Sequence, residues 1–236
     1  MTDPIYAFAP PAPVAVPIDD MHTVFPVRRI YCVGRNYAEH IREMGGDERA
    51  LPFFFQKPTD SIVIDGSSVP YPPATEDFQH EIELVLAIGK GGADIEETAA
   101  VDHVFGLAVG IDLTRRDLQL TARKAGRPWE SGKSFDQSAP ISSIKKLGGQ
   151  DLPGAGSITL EVNGALRQSG DLREMIWSPA EIVSALSRQF RLEPGDLIYT
   201  GTPAGVGPVI PGDVVSGYID GVGSIEITIA EDRPQD

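Results

Sequence analysis

A strand-rich α+β fold is what the sequence predicts, on three observations. Its 236 residues include 25 glycines and 20 prolines, which punctuate the chain too often for a helical bundle. The apolar residues gather in short runs rich in β-formers, and helical signals are confined to a few short stretches. At 41% hydrophobic residues the chain can bury a sizeable core, and its length suits one large domain or two small ones.

Taken in order, residues 1–27 read as an arm, because Pro4, Pro10, Pro11, Pro13 and Pro17 lack the N–H that a regular ladder needs. Arg29 to Val33 is a strand candidate, and Gly34-Arg35-Asn36 turns it into a short helix from Tyr37 to Met44, stopped by Gly45-Gly46. With the polar stretch Asp47 to Ala50, residues 37–50 read as a lid between strands. Extended structure resumes at Pro52 to Gln56 and Ser61 to Ile64. Glu81 to Ile88 begins in acid–apolar alternation and ends fully apolar, the pattern of a buried strand. A helical stretch at Glu96 to Asp102 leads into the apolar run Val104 to Ile111, and Asp112 then precedes a helix from about Thr114 to Lys124. Asn163-Gly164 accepts the positive φ angles of a tight turn, so Ser157 to Val162 and Ala165 to Gln168 form a hairpin. Ser178-Pro-Ala-Glu181 is a capping box with proline at the first helical position, opening a helix to about Phe190. Strands at Leu197 to Thr200, Val214 to Tyr218 and Ser224 to Ile229 close the chain, and no break separates further domains after residue 28.

Charge and cysteine content narrow the function. Twenty basic against 34 acidic residues leave a formal net charge of −14, which speaks against a nucleic-acid or anionic-membrane partner. The longest apolar stretch falls far short of the ~20 residues that span a bilayer, and the acidic, proline-rich start is no export signal. Cys32 is the single cysteine, so no intrachain disulfide and no multi-cysteine metal site can form, and a reducing cytoplasm fits. The chain lacks a Walker loop, and Gly34 to His40 lacks the dinucleotide G-x-G-x-x-G pattern.

Several constellations can carry chemistry. On a strand, Glu81 and Glu83 point to one face, and two adjacent anions near a core repel unless a cation intervenes. Asp112 emerges from a second apolar strand, and three hard oxygen ligands suit Mg²⁺ or Mn²⁺. Read alone, the same tripeptide also fits an ordinary edge strand facing water. His40 and Glu43 share a helix face, where a carboxylate makes an imidazole a better base, or where the pair is incidental. His22, His80 and His103 have no such partner, although His80 precedes the acidic strand and can support it. Arg116 and Gln119 share a face of the helix after Asp112, and Lys133 follows in a loop, so their donors can hold an anionic substrate. The bland alternative is that cations on a helix of an acidic protein form solvated ion pairs, which would take in most of Arg115, Arg116, Arg123 and Lys124. Thr200 to Gly207 is a tight loop or a plain turn.

Together these stretches resemble the short bacterial members of the fumarylacetoacetate hydrolase family. The resemblance lies in Val33-Gly-Arg-Asn-Tyr-Ala-Glu-His40, Phe55-Gln-Lys-Pro58, His80-Glu-Ile-Glu83-Leu, Gly110-Ile-Asp112-Leu-Thr-Arg-Arg-Asp, Pro128 to Phe135, Val162-Asn-Gly164 and Gly195 to Gly207, in family order. It implies a mixed β-roll core with short helices and a helical lid, and a homodimer. It implies a divalent metal, Mg²⁺ or Mn²⁺ with Ca²⁺ also admissible, on Glu81, Glu83 and Asp112. His40 and Glu43 would activate water, Lys133, Arg116 and Gln119 would contact substrate, and Thr202 would close the site. The implied activity is hydrolysis of the carbon–carbon bond of an acylpyruvate, with fumarylpyruvate, from aromatic degradation, the expected substrate. Oxaloacetate decarboxylation or another isomerase or lyase reaction on a 2-oxo acid is the alternative, and an idle metal- or ligand-binding module the non-enzyme one. A dianionic substrate meets a chain of charge −14, so the pocket itself must be locally positive, with Arg35, Arg116 and Lys133 around the metal.

Overall fold

The expected strands form, and most of them build one mixed sheet. The computed structural model describes residues 5–37 and 51–230. Its strands are β1 (Ala15–Pro17), β2 (Val24–Pro26), β3 (Arg29–Val33), β4 (Phe54–Lys57), β5 (Ile62–Ile64), β6 (Ser68–Pro70), β7 (Phe78–His80), β8 (Ile82–Ile88), β9 (Val104–Ile111) and β10 (Thr114–Arg115). There follow β11 (Ala139–Ile141), β12 (Lys145–Lys146), β13 (Ser157–Val162), β14 (Ala165–Asp171), β15 (Asp196–Tyr199), β16 (Gly207–Pro208), β17 (Val214–Ile219) and β18 (Gly223–Ala230). Among the described residues three α-helices stand between them: α1 (Arg116–Lys124), α2 (Glu130–Lys133) and α3 (Pro179–Ser187).

An eight-stranded sheet runs β4-β3-β15-β8-β9-β11-β5, with β12 also on β9. It is mixed, since β15 runs parallel to β3 and β11 parallel to β5 while β8 and β9 are antiparallel. A five-stranded sheet, β14-β13-β17-β18-β6, packs against it. Strand β8 is apolar at almost every position because both its faces are covered. Ile82, Leu84, Leu86 and Ile88 point toward Ile158, Leu160, Val215 and Ile227 of the smaller sheet, while Val85 and Ala87 join Ile30, Cys32 and Tyr199 on the other face.

That second face is closed by the end of the proline-rich arm. β1 and β2 pair as a short hairpin that buries Val16 and Phe25. Pro17 and Pro26 fall at the ends of three-residue strands, which is how a ladder tolerates them.

Local signals were followed closely elsewhere. Ser178 and Glu181 make the reciprocal capping box that opens α3. The Glu96 to Asp102 stretch coils as a 3₁₀ helix, Glu97–His103, without a side-chain cap. Thr114–Arg115 pairs with β7 before α1 begins. The lid expected over 37–50 lies outside the described residues from 38 onward.

The hairpin turn holds Asn163 at φ 54° and Gly164 at φ 73°. A Cβ at Gly164 would meet nothing within 4 Å, so the strain of a side chain there is purely backbone. Gly164→Ala is therefore expected to destabilise by about 1–2 kcal/mol in chemical denaturation, the preference of L-residues against left-handed backbone. An unchanged denaturation midpoint would contradict the turn's assigned role.

Candidate active site

Three carboxylates meet where β8 and β9 run side by side. Their antiparallel register pairs Ile82 with Ile111 and Glu83 with Gly110. The ladder continues one step further, with the Asp112 N–H donating to the Glu81 carbonyl at 2.8 Å. Glu81 and Glu83, two apart on extended chain, share a face, and Asp112 arrives opposite them. Carboxylate oxygens of Glu81, Glu83 and Asp112 lie within 4.8 Å of one another, and all three residues are buried.

Three cations press on this cluster. Lys133 Nζ donates to Glu81 Oε2 at 2.8 Å, Asp112 Oδ2 at 2.6 Å and Thr114 Oγ1 at 2.6 Å. It reaches them because α2 packs tightly on α1: a Cβ at Gly132 would stand 2.6 Å from the Gln119 nitrogen, so only glycine permits the approach. Arg116 donates to Glu81 through Nη2, to Gln79 at 2.8 Å and to Gln119 at 2.5 Å. Lys57 Nζ forms an ion pair with Asp112 Oδ1 at 2.9 Å, and its hydrogen bonds go to Leu113 O at 3.3 Å, Ser138 Oγ at 3.0 Å and the Lys133 carbonyl.

The charges do not balance evenly over the cluster. Burial pushes the Glu81 carboxyl up, but Lys133 and Arg116 outweigh it and hold Glu81 down at about 2. Burial likewise works against a charged Lys133, yet Asp112 and Glu81 keep its pKa above the ordinary lysine value, which makes it a fixed ammonium rather than a base. Glu83 is the odd member. Burial, then Asp112 and Glu81, drive its carboxyl well above the usual range. Among the described residues its side chain receives the Gly201 N–H at 2.7 Å and no ion pair. A divalent cation supplies the positive charge that Glu83 lacks, and an all-oxygen donor set of this kind fits Mn²⁺ or Mg²⁺. The residues present therefore fit the metal that the sequence implied.

Around the carboxylates opens a cavity of about 250 Å³. Arg35, Glu81, Glu83, Asp112, Arg116, Gln119, Lys133 and Thr202 all line it, so eight predicted site residues converge from distant parts of the chain. His40 and Glu43 lie outside the described residues. His80 does not reach the carboxylates; its Nδ1 lies 2.9 Å from Gln168 Oε1.

Two polar side chains that sequence reasoning passed over fix the rim. Asn36 donates to Trp177 O at 2.9 Å and Thr200 O at 2.8 Å and accepts from Trp177 N at 2.7 Å, which ties the Gly34–Tyr37 segment to the loop carrying Gly201. Gln168 donates to Thr202 Oγ1 at 2.8 Å and Pro203 O at 2.9 Å while accepting from Ile82 N at 3.1 Å. Their partners are remote in sequence. The one signal available was a polar residue inside an otherwise apolar or glycine-rich stretch.

Comparison with known proteins agrees with this geometry. The family pattern described as fumarylacetoacetate (FAA) hydrolase, C-terminal, matches residues 29–230. A fumarylpyruvate hydrolase of Ralstonia sp. is 45% identical over 177 residues, 75% of this chain and 92% of that one. A mitochondrial oxaloacetate tautomerase of Mus musculus is 42% identical over 202 residues, 86% of this chain and 91% of that one. The crystal structure of fumarylpyruvate hydrolase from Pseudomonas aeruginosa in complex with Mn²⁺ and pyruvate superposes with a TM-score of 0.93 at 51% identity, covering 97% of this chain and all of that one.

Proposed function

The chain belongs to the fumarylacetoacetate hydrolase family, and on that premise we propose that it hydrolyses the carbon–carbon bond of an acylpyruvate, fumarylpyruvate, to fumarate and pyruvate. The observation that carries this reading is the buried Glu81, Glu83 and Asp112 cluster, flanked by Lys133 and Arg116, in a chain so similar to a hydrolase holding Mn²⁺ and pyruvate. Mn²⁺ or Mg²⁺ on the three carboxylates supplies Lewis-acid stabilisation of negative charge on the 2-oxo acid.

The chain's own residues do the rest. Arg116 and Gln119 offer donors to the substrate carboxylate, Lys133 brings a permanent positive charge to the reacting end, and Thr202 closes the rim. His40, oriented by Glu43, takes a proton from water, and the hydroxide so formed adds to the 4-oxo carbon. The bond between C3 and C4 then breaks. Its electron pair passes to the pyruvate fragment as the enolate, which takes up a proton, while the acyl fragment leaves as fumarate.

The test is incubation of purified protein and Mn²⁺ with fumarylpyruvate, read by loss of its enol absorbance and by the yields of fumarate and pyruvate. Equal yields above the metal-only background are expected. A second reading is favoured by the 42% identical tautomerase: interconversion of the keto and enol forms of oxaloacetate, which needs no water attack. Tautomerisation without release of fumarate would overturn the hydrolase reading. His40→Ala is expected to lower hydrolysis about 10²–10⁴-fold, the usual contribution of a general base, with Mn²⁺ affinity retained. A variant that hydrolyses as fast as the parent would remove His40 from this role.

The same reading carries a single catalytic domain over residues 28–236 behind an arm of residues 1–27, and a cytoplasmic homodimer that acts in aromatic-compound breakdown. Buried Cys32 supports a reducing compartment. Among the described residues no helix is long and apolar enough to cross a membrane. Family resemblance supports the dimer, which light scattering would check.

A further inference from the structure

We propose that Arg123, with Arg35 beside it, binds a carboxylate at the far end of the acyl group, so that the site selects long 2-oxo dioates over short ones and over chains with an uncharged end. This deepens the acylpyruvate reading above and rests on it. Helix α1 presents Arg116, Gln119, Leu120 and Arg123 to the same cavity, an i, i+3, i+4, i+7 stripe along one face. Arg116 marks the inner end, because it is bonded to Glu81. At 1.5 Å of rise per residue, Arg123 stands ~10 Å further along the axis.

That spacing works as a ruler. A seven-carbon 2,4-dioxo dioate has six carbon–carbon bonds of ~1.5 Å, which zigzag to roughly 7–8 Å between its carboxyl carbons. With a hydrogen bond at each end it bridges the two arginines. A four-carbon dioate, with three such bonds, spans roughly half that and falls well short of the helix spacing. Between the ends the wall is apolar: Phe55 and Trp129, whose rings lie 6.0 Å apart, line the same cavity and suit an unsaturated chain.

Charge points the same way. At the inner end Lys133 pairs with Glu81 and Asp112, and Arg116 pairs with Glu81. At the outer end Arg35 makes no ion pair among the described residues, and its buried Nε has no acceptor. Arg35 and Arg123 line the same cavity, and burial, then the charge of Arg123, lowers the Arg35 pKa. A carboxylate that reaches this end of the cavity satisfies the orphan donor of Arg35.

The experiment is calorimetric binding to the Mn²⁺-loaded protein of 2-oxoheptanedioate, 2-oxoheptanoate and 2-oxobutanedioate. The two seven-carbon probes lack a 4-oxo group and so are not cleaved. The parent is expected to prefer the seven-carbon dioate over the equally long monoacid by about ten- to a hundredfold, the value of a charge-assisted contact. Arg123→Met should collapse that ratio to near unity, Arg123→Lys should retain part of it, and fumarylpyruvate KM should rise in step. A ratio that Arg123→Met leaves unchanged, or its absence in the parent, overturns the proposal. If Arg123→Met does not fold, Arg35→Met is held to the same ratio. A dioate preference that Arg123→Met removes, in a parent that does not cleave fumarylpyruvate, would sink the hydrolase reading and leave this subsite standing.

Discussion

Glu83→Gln is expected to lower kcat/KM for fumarylpyruvate by about a thousandfold or more, ~4 kcal/mol of lost transition-state stabilisation, while leaving the metal-free protein as stable as before. The two halves of this result have one cause. Glu83 is the carboxylate that makes no ion pair among the described residues, and burial, then its two acidic neighbours, push its carboxyl well above the usual range. A glutamine there keeps the shape of the side chain, and its amide oxygen can still accept the Gly201 N–H. Nothing is lost in packing. With metal present the difference becomes large, because a charged ligand is replaced by a neutral one at a hard dication. In the parent, Mn²⁺ at a hundred times its Kd adds about 2.7 kcal/mol of stability, or roughly 5–10 °C in Tm for a chain of this size. Differential scanning fluorimetry with and without Mn²⁺ measures this directly. A metal-induced shift that survives in Glu83→Gln would exclude Glu83 from the ligand set; a metal-free protein that is clearly less stable would show that its charge is used structurally.

How far the site was legible in the sequence follows from the range of each interaction. Glu81 and Glu83 were readable because alternation along one strand places them together, and Asp112 because an apolar strand ends on it beside a helix start. The Ser178 box and the Asn163-Gly164 turn are local in the same sense, and both formed. Lys57 was not legible. It closes an aromatic strand, and its partners Asp112 and Ser138 lie far along the chain, so nothing near it in sequence announces a buried cation. Asn36 and Gln168 were hidden for the same reason, since their partners lie 141 and 34 residues away. Arg123 is a different case. Its i+7 spacing from Arg116 was visible throughout, but a basic residue on an amphipathic helix reads as solvated until the cavity it lines is known.

The opposite stability effect is expected one ligand away. Asp112 is held by two buried ammonium groups, Lys57 at 2.9 Å and Lys133 at 2.6 Å, and removing its charge strands both. Lys133 keeps Glu81, but Lys57 is left with the carbonyls of Leu113 and Lys133 and the hydroxyl of Ser138, all neutral. Breaking a buried ion pair from one side costs about 3–5 kcal/mol, so Asp112→Asn is expected to lower the metal-free Tm by roughly 10 °C or more, where Glu83→Gln does not. Activity falls in both variants, so activity alone cannot separate their roles. The double variant Asp112→Asn with Lys57→Met separates them, because it removes the stranded cation along with the carboxylate. It should regain a large part of the lost stability and none of the turnover, a coupling that a double-mutant cycle in urea quantifies. If Asp112→Asn proved as stable as the parent, or if Lys57→Met gave no recovery, the Lys57–Asp112 pair would not be the anchor that holds this end of the metal site in place.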